Sequence, residues 1–267
     1  MVKLFKISPS NIHKIMAGAV GLTEIQKVKL IELDQRKIGI GKPLTPNMEQ
    51  ELIGLEYKRD NPSLPTGTIT YLEEWFISKK YNRKREWFNK FVEKGLAVEQ
   101  SAIDMLSFQI GDGVALEKNT EYFFNDFIHG YPDVVYEDKV YDTKSAWDVF
   151  TFPFFDKRMD DKYEWQLHGY MAITGKPKAE LVYCLIDTPQ PLIDLELKKL
   201  YFQSGGKAED WNPETYEHLS VNYKFNDIPF EEKIKIFPLE RSEDKISQIV
   251  ERVQLCRKYI NENLERK

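Results

Sequence analysis

Apolar residues recur along this chain with two different periods, and the change of period divides it. Over roughly the first ninety residues the spacing is helical and the polar residues between apolar ones form caps. Ser8-Pro9 reads as a helix start with Gly18 as its stop, which puts Ser10 in the first turn. Thr23-x-x-Gln26 is a capping box opening a helix to about Lys37, Thr45-Pro46 opens another toward Lys58, and Thr70-x-x-Glu73 opens a third. A further helix runs from Gly95 to Leu106, with Ala102, Ile103 and Leu106 on its apolar side. The period then drops to two. Strands are expected near Glu121–Phe127, Asp133–Tyr136 and Lys139–Ala146, the last two joined by a tight turn at Glu137-Asp138. A helix from about Lys157 to Thr174 leads to the apolar strand Ala179–Ile186. A helix near Leu192–Phe202, a strand near Lys233–Phe237 and a long helix Ser242–Glu262 follow, the last with a stripe of Ile246, Ile249, Val250, Val253 and Ile260.

The element order is α/β. With 267 residues, 42% of them hydrophobic, the chain can bury a large core, and no Pro/Gly/Ser-rich linker divides it. One domain, 1–267, is expected, with 1–90 as a helical N-terminal elaboration and 91–267 as the core with its C-terminal helix. Cys184 and Cys256 read as buried free thiols of a reducing compartment and are too few for a four-cysteine iron–sulfur cluster. No apolar run reaches the length of a membrane span, so a soluble, cytoplasmic protein is expected. His13, His129, His168 and His218 lack zinc-ligand spacing, and no Gly-x-Ser-x-Gly elbow or phosphate-cradling glycine loop is present.

Chemistry concentrates in HGYPDVVYEDKVYDTKSAW. In a hairpin, Asp142 and Lys144, two apart, share a face, and Asp133 on the neighbouring strand lies within a few ångströms. Two carboxylates suit a hard cation such as Mg²⁺, which keeps most of its waters, and the Thr143 backbone carbonyl could add a ligand. Lys144 supplies positive charge, and next to a bound metal it could orient or deprotonate a water. Taken singly, Pro-Asp is a common turn opener and Asp-x-Lys a common surface pair. Glu99, one turn after Gly95, is either a solvated carboxylate or, if the glycine lets its helix pack closely, a third ligand. Gln166 and Tyr170, four apart, share a helix face that could meet a phosphate or solvent. Ser10 sits where a helix N-terminus favours an anion, unless Ser8 merely caps and Ser10 is idle.

In order, Gly95…Glu99, Pro132-Asp133, Asp142-x-Lys144 and Gln166…Tyr170 resemble the motif series of the PD-(D/E)XK nuclease superfamily, and in particular the lambda-type phage exonucleases, or YqaJ-like viral recombinases. SPSNIHKIM resembles that family's Ser-bearing first helix, and IFPLERSEDKISQIVERV its last strand and helix. The resemblance implies a restriction-endonuclease-like core, a central mixed sheet flanked by helices. It implies metal binding by Glu99, Asp133 and Asp142, a catalytic Lys144, and contact of Ser10 and Gln166 with a terminal phosphate. Mg²⁺, with Mn²⁺ able to substitute, is the implied cofactor. Ends of double-stranded DNA, degraded 5′ to 3′ in phage-type recombination, are the implied substrate. A single-strand annealing protein and a homo-oligomer such as a trimer are the implied partners, in a bacterial or phage-infected bacterial cell. Asp142 stands where the lambda-like enzymes carry Glu, Tyr170 where they carry a smaller residue, and Gly21–Lys90 is longer than a minimal exonuclease needs. A structure-specific or restriction-like endonuclease and a non-catalytic DNA-binding module remain the alternatives.

The net charge of −5 weighs against a nucleic-acid binder. Its distribution weighs the other way. Lys79, Lys80, Arg83, Lys84, Arg85, Lys90 and Lys94 oppose only Glu86 and Glu93, with Tyr81, Trp87, Phe88 and Phe91 interleaved. Such a stripe either tracks a DNA backbone or forms a solvated helix face above core aromatics.

Overall fold

A computed structural model describes residues 4–85, 88–111, 113–207 and 213–265; Glu86 and Trp87 of the basic stripe lie outside the described residues. The chain forms two units. The first gathers Met1–Ile7, Asn11–Lys84 and Ser247–Lys267, and the second Ser8–Ser10 and Arg85–Ile246.

In the first unit the sequence's caps mostly work as written. Its helix α1 (Ile12–Met16) follows a 3₁₀ turn, Pro9–Asn11, whose Pro9 and Ser10 belong to the second unit. Helix α2 (Glu24–Lys37) opens on the Thr23/Gln26 capping box, and α3 (Pro46–Asp60) on Thr45, whose hydroxyl accepts the Met48 N–H. Helix α4 (Thr66–Tyr81) differs from expectation. It starts after Pro65, whose fixed φ presets the first turn, so Thr70 is interior and its hydroxyl donates back to the Thr66 carbonyl at 3.1 Å. Leu22, Leu30, Leu33, Leu52 and Leu55 close α2 on α3. The residues beyond Ser247 also belong to this unit: Arg252 donates to the Ile15 carbonyl at 2.6 Å and Arg257 to that of Phe5 at 2.9 Å.

The second unit is built on a sheet. Helix α5 (Lys90–Ile110) begins earlier than its apolar spacing suggested, because Asn89 caps it by accepting the Phe91 N–H at 2.9 Å. The strand expected over 121–127 shrinks to β1 (Phe123–Phe124), paired antiparallel with β2 (His129–Gly130). Asn125 turns the chain there by accepting the N–H groups of Phe127 and Ile128, each at 2.8 Å. Next come β3 (Val134–Tyr136), β4 (Lys139–Ser145), α6 (Asp161–Thr174), β5 (Lys178–Cys184), α7 (Gln190–Gln203), α8 (Pro213–Ser220), β6 (Ile234–Glu240) and α9 (Glu243–Tyr259). The strand order is β3-β4-β5-β6, with β4/β5 parallel and the outer pairs antiparallel, so this is the mixed sheet flanked by helices that the sequence implied. On one face Ala102, Ile103 and Leu106 of α5 pack on Val134, Tyr141 and Val182. On the other, Leu167, Tyr170 and Met171 of α6 pack on Val140, Ala179 and Leu181. Cys184 and Cys256 are buried free thiols. Among the described residues no helix is long and apolar enough to cross a membrane.

Candidate active site

Strand alternation places the chemistry. Val140 packs toward α6 and Tyr141 toward α5, so Asp142 and Lys144 project toward α6. The β3/β4 register pairs Val134 with Tyr141 across a two-residue turn at Glu137-Asp138; continued by one step it sets Asp133 across from Asp142. Asp142 is 1% exposed. Its Oδ1 accepts from Gln166 Nε2 at 2.7 Å, so the polar member of the Gln166/Tyr170 pair faces the sheet. Its Oδ2 lies 2.5 Å from Lys144 Nζ. That contact is poorly directed, and Oδ2 is a buried atom with no proper hydrogen bond. Asp133 is held separately: the backbone N–H of Thr143 donates to its Oδ2 at 2.7 Å and the Thr143 hydroxyl at 3.1 Å. Thr143 therefore supports Asp133 through its amide and hydroxyl, groups the sequence reading did not consider.

The electrostatics follow from this crowding. Burial, with the neighbouring charge of Asp142 added, pushes the Asp133 carboxyl up to about 6 against the opposing pull of Lys144 and Thr143. Burial alone would lower the Lys144 ammonium, but Asp142 and Asp133 outweigh it and hold the group above its ordinary range. The two carboxylates thus favour the charged form of Lys144 in this geometry. The face of the Tyr163 ring, 5.4 Å away, steadies it further. Burial raises the Tyr170 phenol far above its usual value, so it is a neutral donor.

Glu99 behaves differently from expectation. A Cβ at Gly95 would meet nothing within 4 Å, so that glycine provides no close approach. The Glu99 carboxylate is ion-paired to Lys118 instead. Among the described residues no three His, Cys, Asp or Glu side chains are grouped to hold a cation; Asp133 and Asp142 are the two carboxylates that the hairpin sets side by side. Two carboxylates, one with an unsatisfied buried oxygen, still fit a hydrated Mg²⁺, which takes one or two carboxylates and keeps its waters.

Ser10 reaches the site's unit through a contact that no local pattern shows. A Cβ at Gly130 would lie 2.9 Å from Pro9 Cδ and 3.7 Å from Tyr170 Cε1, so glycine there lets the Ser8–Ser10 turn pass beside the buried tyrosine. Ser10 is exposed, its hydroxyl 3.4 Å from that of Ser8.

The basic stripe separates into parts. Lys79 and Lys80 end α4, Lys80 lying over the rings of Phe76 and Tyr81 at 5.5 and 5.6 Å. Arg83, Lys84 and Arg85 follow on exposed, non-helical chain. Lys79, Lys80, Arg83 and Lys84 belong to the first unit and Arg85 to the second. Lys90 pairs with Glu196, and Lys94 is fully buried, so neither is a free solvent-facing cation as the stripe suggested. Lys94 in fact continues the buried row Val98, Ala102 and Leu106 at four-residue spacing, a signal the run of charge obscured.

No protein-family model matches the sequence, and no curated protein matches it. Solved structures do resemble it. A phage-related exonuclease from Haemophilus somnus 129PT aligns with a TM-score of 0.65 and 22% identity over 98% of this chain and 96% of that one. An alkaline exonuclease from Laribacter hongkongensis gives 0.56 and 12% identity over 99% and 92%. Its complex with dAMP gives 0.54 and 13% over 98% and 91%. The chain has the fold these exonucleases share.

Proposed function

We propose that this protein is a Mg²⁺-dependent deoxyribonuclease that degrades one strand of duplex DNA from a 5′ end. The observation that carries the reading is buried Asp142, gripped by Gln166 and Lys144 and facing Asp133, on the central strand of an exonuclease fold. Asp133 and Asp142 are the residues that would hold Mg²⁺. The chemistry such an ion supplies when bound is polarisation of a phosphoryl oxygen and acidification of a water. The chain's own groups do the rest. Lys144, beside the two carboxylates, places a positive charge where the phosphorane's charge develops. Gln166 fixes the Asp142 carboxylate through Oδ1, leaving Oδ2 beside Lys144 without a hydrogen bond. Thr143 fixes Asp133. Ser10, on the turn beside Gly130 and Tyr170, is the candidate donor to a 5′-phosphate.

Incubation with linear and covalently closed duplexes in Mg²⁺ tests the proposal. Release of mononucleotides from 5′-phosphorylated linear DNA, abolished by a chelator, with the closed circle intact, is the expected result. Cutting of the circle would establish an endonuclease instead, and binding without hydrolysis a non-catalytic module.

A further inference from the structure

Lys94 is 0% exposed, and no part of the proposed chemistry uses it. Its ammonium donates to the Ala146 carbonyl at 2.5 Å and the Trp147 carbonyl at 3.2 Å, the first two residues beyond β4. The rings of Phe225 and Trp147 lie 5.2 and 6.0 Å from it. Among the described residues no carboxylate comes within ion-pair distance. A buried cation with only carbonyls and rings as partners is costly, and a methionine would fill the same space without the charge. What the ammonium does that a thioether cannot is satisfy two carbonyls where the chain leaves the sheet. The last rung there is Ala146 N–H to the Cys184 carbonyl at 3.0 Å, and Thr188 adds a hydroxyl bond to the Trp147 carbonyl at 3.3 Å.

We propose that Lys94 is a positioning residue for the active site: it clamps the end of β4 to α5 and so holds Lys144, two residues upstream of Ala146, on Asp142. This rests on the nuclease reading above. The clamp works in two directions. It fixes the course of the strand carrying Asp142 and Lys144, and it holds the end of that strand against α5. Loosening it lets the strand end fray, so that Lys144 loses its fixed distance from the carboxylates while the binding surface for a DNA end stays in place.

The test compares full-length wild type with Lys94→Met, which keeps the length without the donors, and Lys94→Gln, which keeps a shorter donor. Expected for Lys94→Met are a kcat on linear duplex reduced about tenfold or more with KM little changed, and Mn²⁺ affinity, read by calorimetry, weakened about tenfold. Lys94→Gln should fall between. In the wild type, hydrogen exchange at the Ala146 amide should be as slow as at Asp142 in mid-strand. A folded Lys94→Met with wild-type kcat and Mn²⁺ affinity overturns the proposal. So does rapid exchange at Ala146 in the wild type, a measurement that stands even if neither variant folds. Wild-type protein that binds Mn²⁺ but never cuts DNA refutes the nuclease reading alone, because metal affinity and exchange still judge the clamp.

Discussion

Substituting Gly130 with alanine tests how the Ser8–Ser10 turn is seated. The new Cβ would come within 2.9 Å of Pro9 Cδ, 3.5 Å of Pro9 Cγ and 3.7 Å of the Tyr170 ring. A pyrrolidine ring cannot rotate away as a flexible side chain can. The turn and β2 must therefore part by roughly half an ångström or more, and overpacking of this kind costs about 1–3 kcal/mol. In a domain of this size that is a fall of about 2–4 °C in Tm per kcal/mol. The functional consequence is more specific than the loss of stability. Ser10 moves with Pro9, so Gly130→Ala should erase preference for 5′-phosphorylated over dephosphorylated ends while sparing cleavage of the latter, as Ser10→Ala should. Chemical denaturation and paired digests of the two substrates read both effects. Pro9→Ala removes the clashing Cδ, so the double variant should recover part of the lost stability. If Gly130→Ala is as stable and as phosphate-selective as the wild type, or if Pro9→Ala restores nothing, the seating argument is wrong.

Other substitutions probe the acidic pair and the clamp. Asp142→Ala leaves the buried amide of Gln166 without an acceptor and Lys144 without its nearest anion, so it should destabilise the fold by about 1–3 kcal/mol besides stopping cleavage. Asp142→Asn, which keeps an acceptor for Gln166, should stop cleavage with a smaller loss of stability, and equal Tm values for the two variants would contradict the buried bond. Lys144→Ala should abolish hydrolysis while leaving binding to DNA ends nearly intact in a gel-shift assay; residual wild-type turnover would remove it from the mechanism. Burial pushes the Lys94 ammonium down to about 8 from 10.5, against the weaker opposing pull of Asp187 and Asp148. The unfolded chain then binds more protons between those values. Stability should rise with pH across that window, by about 3 kcal/mol at most, and the cost should be fully present below pH 8. Urea titrations at pH 7.5 and 10 should show this slope in wild type and a flatter one in Lys94→Met, and identical slopes would refute it.

What the sequence disclosed and what it hid divide along physical lines. Asp133, Asp142 and Lys144 were legible because a period of two and a two-residue turn fix a hairpin's register, and the observed pairing of Tyr136 with Lys139 obeys it. The Thr23 and Thr45 caps were legible because capping is a local bond. Thr70 misled because Pro65 overrode a capping pattern that was equally good on paper. The ion pair of Glu99 was not legible because its partner, Lys118, is distant along the chain and nothing in the helix points to it. The approach of Pro9 to Gly130 and the grip of Lys94 on Ala146 are tertiary contacts, invisible to any window of sequence.

Asp133, Asp142, Lys144, Gln166 and Tyr170 all come from one hairpin and the helix that follows it, residues 133–170. Such a stretch closes through short connections, and contacts near in sequence are the quick ones to form during folding. The serine turn arrives from the far N-terminus and can be seated only once β2 is there to receive it. The groups proposed to cut and the serine proposed to inspect the end are therefore assembled on different schedules, so on this proposal a chain that has just folded can possess its chemistry before its selectivity.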